Sequence, residues 1–293
     1  MKTYIRLILV SLVFSLGGTL IKTSTLMVST EIISFLRFLI GAVILFFLLK
    51  SKKRKIKWHF TMFYIWVAAF GKSINYITEN YGVSKGFSYG NILIWPIQTI
   101  IIIFVSIFIF KERISILKGI AIVLCTIGIG LISWNGTSLK VFLGENLMLT
   151  IVFVIAGTGS AVFTIMQKVL VNKLETKEAY LSIFTLSSVM TFIPIPILGN
   201  VTGNVNVGSI ISILILGCIT GISFLVIADA MKTIPLYIVS IIQSFSTLFS
   251  LLWAILFFNE EITLYTALGT VVFVVGLIMV NLKFDKVKDE VKV

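Results

Sequence analysis

Again and again this chain runs for about 20 residues with almost no charge, and that repetition constrains its fold more than any other feature. A helix rises about 1.5 Å per residue, so a run of that length crosses a hydrocarbon core about 30 Å thick. Taking charges, Gly/Pro/Asn clusters and apolar length as punctuation predicts ten spans, near 4–22, 29–49, 59–84, 87–110, 114–134, 147–168, 178–198, 208–230, 235–258 and 263–283. Only 12% of the 293 residues are charged and 58% are hydrophobic. A water-soluble domain cannot cover its surface with so few polar groups. The expected fold class is therefore all-α integral membrane, with ten transmembrane helices. The interior loops are short, so whatever the chain does is expected to happen inside the bundle.

The net charge of +12 need not mean nucleic acid. Basic residues clustered between apolar spans report membrane orientation instead. Lys50-Ser51-Lys52-Lys53-Arg54-Lys55-Ile56-Lys57 is the main cluster and reads as a cytoplasmic loop meeting anionic lipid. With the N-terminus on the cytoplasmic side, 19 of the 24 Lys and Arg fall at cytoplasmic ends or loops. Lys22, Lys85 and Lys140 fall on the other side, and Arg37 and Lys72 lie inside spans. The expected location is the cytoplasmic membrane, multi-pass, with both termini cytoplasmic. Lys2 and Arg6 precede an apolar run without a small-residue cleavage site, which reads as a retained first helix. Cys125, Cys218 and the single His59 form no metal or disulfide pattern, so no cofactor is expected.

A shift of 148 residues superposes the halves: Phe110-Lys111-Glu112-Arg113-Ile114-Ser115 falls on Phe258-Asn259-Glu260-Glu261-Ile262-Thr263, and Gly128 falls on Gly276. Five is an odd number of helices, so equivalent loops lie on opposite membrane faces. The cytoplasmic copy carries Lys111 and Arg113 where the outer copy carries Asn259 and Glu261, as an inverted repeat requires. The expected units are a first five-helix repeat over 1–137 and a second over 138–293, forming one bundle.

At these residues the chain resembles the drug/metabolite transporter superfamily, specifically its EamA-type members. The resemblance rests on a Glu ending the fourth helix of each repeat (Glu112, Glu260), a Gly-bearing fifth helix (Gly128, Gly276) and Ser34-Phe35-Leu36-Arg37-Phe38-Leu39 in the second helix. Pro96 fits the family's fourth-helix proline, but its repeat mate is Ser244, and the mate of Arg37 is Thr185. The resemblance implies a metabolite carrier, often an exporter, working by alternating access. It places helices 1, 3, 4, 6, 8 and 9 around a central cavity and helices 5 and 10 outside it.

Polar groups inside a span are costly, so they are expected to face a wet cavity or a partner. Lys72, Asn75, Tyr76 and Glu79 follow i, i+3, i+4, i+7 and share one face of the third helix. Asn91, Trp95 and Gln98 form a stripe on the fourth, where Pro96 removes a backbone donor and is expected to bend the helix. Ser11 and Ser15, Ser160, Thr164 and Gln167, Thr220 and Ser223, and Ser240, Gln243 and Thr247 supply the first, sixth, eighth and ninth helices. The candidate substrate-binding set is Lys72, Asn75, Tyr76, Glu79, Asn91, Trp95, Gln98, Gln167 and Gln243. Arg37 and Glu79 are expected at similar depth, as a gate pair or a structural ion pair, with Glu31 competing for Arg37. Lys72 is expected either to bind a substrate's negative group or to neutralise Glu79. Asp229 reads as a solvated end charge that can pair with Lys232. Gly119, Gly128, Gly130, Gly269 and Gly276 suit helix packing or a seam between two copies, which leaves a homodimer open.

An enzyme needs a positioned nucleophile, acid–base pair or metal, and a receptor usually carries soluble modules or long loops. The chain offers neither, and the expected partners are a small-molecule substrate and lipid, with no nucleic acid. A cavity with Lys72, Glu79, Trp95 and Tyr76 suits export of amino acids or related amphipathic compounds; the alternative is a hydrophobic cation held by Glu79 and the aromatics.

Overall fold

The computed structural model describes residues 2–51, 56–108, 116–171, 173–201, 203–232, 242–243 and 245–281. Among these residues the secondary structure is helical apart from one isolated bridge, Val28 to Val201. The first span is two helices, α1 (Lys2–Ser15) and α2 (Gly17–Ser24), followed by α3 (Thr30–Lys50) and α4 (Phe63–Lys85). A 3-10 turn at Gly90–Leu93 leads into α5 (Ile94–Phe108), and α6 (Ile116–Trp134) follows. The sixth span opens with the short α7 (Leu139–Val141) and a π turn (Phe142–Asn146) before α8 (Leu147–Val171). The seventh comprises α9 (Thr176–Phe192) and α10 (Ile195–Leu198); the eighth comprises α11 (Val207–Cys218), a π turn (Ile219–Ser223) and α12 (Phe224–Met231). The chain's described part ends with α13 (Ser246–Phe258) and α14 (Leu264–Asn281).

Among the described residues, five helical runs are long and apolar enough to cross a membrane: Thr3–Ser24, Thr30–Lys50, Leu139–Val171, Thr176–Leu198 and Val207–Ala230. Gly90–Val105, Gly119–Trp134, Ser246–Phe258 and Leu264–Met279 are shorter apolar helices. α4 is long enough but is not one of the five, because Lys72, Asn75, Glu79 and Asn80 dilute its apolar character.

Several boundaries differ from the pattern in the sequence. The third helix starts at Phe63, not near 59, because the 56–62 stretch is irregular. The sixth begins eight residues earlier, at Leu139, through α7 and the π turn. Glu112, Lys111, Arg113 and Ser240, the start expected for the ninth span near 235 and the tail after Asn281 lie outside the described residues. Pro96 lies in the first turn of α5, directly after the 3-10 turn, and not in mid-helix. A missing N–H costs little there because the i→i−4 ladder is only beginning. The first span is broken at Leu16, and the glycine behind the break has a purpose. A Cβ on Gly18 would collide with the Ser88 carbonyl oxygen, so only glycine lets α2 press against the 86–89 connection.

The helices pack in a pattern that repeats when each span is exchanged for the one five further on. The third packs on the sixth (α4 on α8) as the eighth packs on the first (α11 on α2). The fourth packs on the sixth (α5 on α8) as the ninth packs on the first (α13 on α1), and the second on the seventh and fifth on the tenth map onto themselves. Small residues set the close approaches, as is usual between helices in lipid. A Cβ on Gly71 of α4 would lie 2.9 Å from the Gly159 carbonyl oxygen of α8. Gly128, Gly269 and Gly276 join α6 to α14, where a Cβ on Gly128 would lie 2.6 Å from Cβ of Phe273. Gly119 and Gly130 have nothing within 4 Å and take no part in that seam.

Candidate functional site

The polar stripe of α4 faces inward. Lys72, Asn75, Tyr76, Glu79 and Asn80 are all buried. The Lys72 ammonium donates to Asn75 Oδ1 at 2.8 Å, and Asn75 Nδ2 donates to the Ala156 carbonyl of α8 at 3.0 Å. Three aromatic rings enclose the same ammonium, with centroids at 4.3 Å (Tyr76), 4.6 Å (Phe224) and 5.1 Å (Phe163). A cation over a ring face is held by the ring quadrupole, and this one is held from three helices.

Tyr76 is the hinge between that cage and a second cation. Its ring stacks on Phe38 at 4.8 Å, its hydroxyl meets Thr220 Oγ1 at 3.3 Å, and the Arg37 guanidinium lies 3.6 Å from its centroid. Arg37 Nη1 donates to Asn80 Oδ1 at 2.8 Å, while Asn80 Nδ2 donates to Ser34 Oγ at 2.7 Å. The same Nη1 is 3.7 Å from Glu79 Oε2, and Asn91 Nδ2 reaches Glu79 Oε1 at 3.5 Å. Arg37 Nε and Asn91 Oδ1 are buried and find no hydrogen-bond partner among the described residues.

These groups line one cavity of about 220 Å³ between the first, second, third, fourth, sixth, eighth and ninth spans, with Leu277 of α14 at its edge. All nine candidate residues reach it: Lys72, Asn75, Tyr76, Glu79, Asn91, Trp95, Gln98, Gln167 and Gln243. Arg37 lines it as well, so the second span, absent from the expected six, contributes one side chain. Gln98 ties α5 to α8, accepting from Ser160 Oγ at 2.6 Å and donating to Thr164 Oγ1 at 3.1 Å. Gln167 is bonded to the Tyr180 hydroxyl.

Some expected pairings are replaced by others. Arg37 is the cation beside Glu79, so direct neutralisation of Glu79 by Lys72 is not what the fold builds; Lys72 is turned into the aromatic cage. Glu31 takes a bond from Thr30 Oγ1 at 3.1 Å at the start of α3 instead of reaching Arg37. Ser11 donates to the Leu7 carbonyl of its own helix, and Ser15 joins two helices by accepting from Trp253 Nε1 at 2.7 Å; neither lines the cavity. Asp229 and Lys232 do pair, at 3.1 Å on the exposed end of α12.

The pattern in the sequence missed Phe163, Phe224, Ser246 and Ser250, all of which line the cavity. Nothing marks Phe163 and Phe224 among 24 phenylalanines. Ser246 and Ser250 carried a signal: they extend the Gln243 and Thr247 stripe at i+3 and i+7.

The connections beside the Gly17 and Asn91 part of the lining are clasped together. Glu260 accepts from Lys22 Nζ at 2.6 Å, from the Ser88 backbone N–H at 3.0 Å and from Ser88 Oγ at 2.9 Å, while Lys22 also donates to the Gly86 carbonyl at 3.1 Å. The clasp binds the end of the first span to the 3–4 and 9–10 connections. From there the lining continues toward the opposite end as far as Ile103, Gln167, Ile227 and Gln243.

With this geometry in view, the comparisons with known proteins are consistent with one another. A solved structure titled only as the crystal structure of a protein matches with a TM-score of 0.69 at 12% sequence identity, covering 96% of this chain and 97% of the other. At that identity it speaks for the fold alone. No curated protein sequence matches the chain. The family model of the EamA-like transporter family matches twice, over residues 1–134 and 147–282, once on each repeat. The chain belongs to the EamA-like transporter family, whose members are membrane transporters of small solutes.

Proposed function

We propose that the protein is a secondary transporter that exports small metabolites, amino acids or related amphipathic compounds, across the cytoplasmic membrane by alternating access. One observation carries the reading: polar and aromatic side chains from seven spans converge on a single cavity, beside which the Lys22–Glu260 pair clasps the connections. In the sequence, lysine and arginine fall mostly at the span ends and loops opposite those that carry Lys22 and Glu260, which supports cytoplasmic termini. The five-span periodicity of the packing supports ten transmembrane helices in two inverted repeats, with the boundary near residue 137.

In this mechanism solute enters from the cytoplasm and the basal end then closes. The Lys22–Glu260–Ser88 clasp opens on the other side. A ligand moves such an equilibrium only by binding the two states unequally, and groups contributed by both repeats allow that. Among the described residues, the charged groups of the lining are Arg37, Lys72 and Glu79, which disfavours a cationic substrate. The rings of Tyr76, Phe163 and Phe224 are already engaged by Lys72, so they are not free to hold a foreign cation. Amino acids are therefore favoured over hydrophobic cations. Proteoliposomes preloaded with radiolabelled amino acids should release them faster than protein-free vesicles, chemically unchanged. A product altered in structure, or release equal to the empty vesicles for every solute class tried, would rule the proposal out.

A further inference from the structure

Toward the clasped end, the cavity holds a set of polar groups that the protein itself leaves unsatisfied. Arg37 is 3% exposed, yet its Nε has no partner. Its approach to Glu79, at 3.7 Å, is well beyond the roughly 2.7–2.9 Å of a charge-assisted hydrogen bond. Glu79 Oε1 has only the long 3.5 Å contact from Asn91, whose own Oδ1 is orphaned. Leaving buried polar groups unmet is costly away from water, and a structure that does so around a cavity calls for an explanation. Other groups on the same wall show that the fold can satisfy them: Lys72 is closed by Asn75, Gln98 by Ser160 and Thr164.

The guanidinium of the loose ion pair is held by other groups. Arg37 is laid against the Tyr76 ring and bonded to Asn80, which Ser34 holds in turn. The guanidinium that bonds Asn80 thus stays 3.7 Å from the carboxylate of the neighbouring Glu79.

We propose that Arg37, Glu79 and Asn91 form the head-group subsite of the cavity and that its ligand is a zwitterion with both charged groups on one carbon, as in an α-amino acid. This rests on the carrier reading above. The carboxylate takes the free Nε edge of Arg37; the ammonium sits between Glu79 and Asn91 Oδ1. An anion alone would meet Arg37 but lie beside the Glu79 carboxylate, whose Oε2 is 3.7 Å from Arg37 Nη1, and a cation alone would face the reverse. Only a group with both charges satisfies all three side chains. Recognition thereby moves from Lys72, whose ammonium is already engaged, to Arg37.

The test uses the full chain purified in detergent and isothermal titration with L-leucine, with 3-methylbutylamine and with 4-methylpentanoate, which are leucine without its carboxylate and without its amine. The series extends to the remaining common amino acids, a nucleoside and a quaternary ammonium compound. At least one amino acid should bind, and its single-charge analogues should bind roughly 10- to 100-fold more weakly. Glu79→Gln should weaken the amino acid by a similar factor. Arg37→Lys should weaken it too, because a point charge does not replace a planar fork. The analogue arm needs no substitution, so it decides the matter even if a variant fails to fold. A single-charge analogue binding as tightly as its amino acid, or Glu79→Gln leaving affinity unchanged, overturns the subsite. If only the nucleoside or the quaternary ammonium binds, the zwitterion assignment fails while the carrier reading stands; if nothing binds and nothing is transported, both fail.

Discussion

Replacing Glu260 by alanine removes the acceptor that binds three parts of the clasped end, and the structure sets the size of the effect. Glu260 receives the Lys22 ammonium, the Ser88 N–H and the Ser88 hydroxyl, and its side chain is 7% exposed. A hydrogen bond to a charged group is worth about 1.5–3 kcal/mol, but the three share one carboxylate and are not additive. Lys22 is 29% exposed and keeps the Gly86 carbonyl, so water and backbone recover part of the loss. The net penalty on the clasped state is about 2–3 kcal/mol, a shift of roughly 30- to 150-fold in the ratio of closed to open. The assay is labelling of Phe14→Cys, on the cavity wall, by a membrane-impermeant thiol reagent added outside cells, in a Cys218→Ser background with the buried Cys125 left in place. The labelling rate should rise by tens of fold in Glu260→Ala and by less in Glu260→Gln, which keeps an acceptor but loses the charge. An unchanged rate in folded Glu260→Ala protein would mean that the clasp does not hold this end shut.

Two further outcomes follow from other parts of the bundle. Cysteine introduced at Asn259 should be labelled from outside intact cells while cysteine at Ser51 is not; the reverse would overturn the orientation and the inverted repeat with it. Lys72→Ala should lower stability by roughly 2–4 kcal/mol, as truncation of a large buried side chain does, because it empties the space between Tyr76, Phe163 and Phe224. Lys72→Met, which refills that space, should recover most of the loss of melting temperature, and an alanine variant that melts like the parent would contradict the packed cage.

What could be read from the sequence follows from the range of each physical signal. Apolar run length is local, so most spans were placed to within a few residues; the irregular 56–62 stretch and the π turn before α8 were not, because hydropathy does not report backbone geometry. The 3.6-residue period is also local, and it gathered Lys72, Asn75, Tyr76 and Glu79 onto the face that lines the cavity. Partners across the fold were hidden. Depth along the helices suggested Arg37 near Glu79, but not that Asn80, one residue off the stripe, would take the guanidinium at 2.8 Å. Nor does any pattern reveal that phenylalanines from the sixth and eighth spans would close on Lys72. The same applies to Glu260: its place in a repeated motif was visible, and its grip on Lys22 and Ser88 was not.

The polarity of α4 also bears on how the chain enters the membrane. A charge at mid-span costs about 2.5–3.5 kcal/mol on insertion scales, and α4 carries both Lys72 and Glu79. Left alone in lipid it would not stay. α3 offers Arg37 and Ser34 from the start, but Gly71 and Asn75 face Gly159 and Ala156 of α8, which leaves the ribosome roughly 80 residues later. At about 5–20 residues per second, α4 has to wait on the order of 4–16 s, sheltered by the insertion machinery, before its permanent neighbour arrives. Until α8 arrives, the polar face of α4 lacks the carbonyl that closes Asn75, so how it is sheltered depends on the order of synthesis as well as on its own sequence.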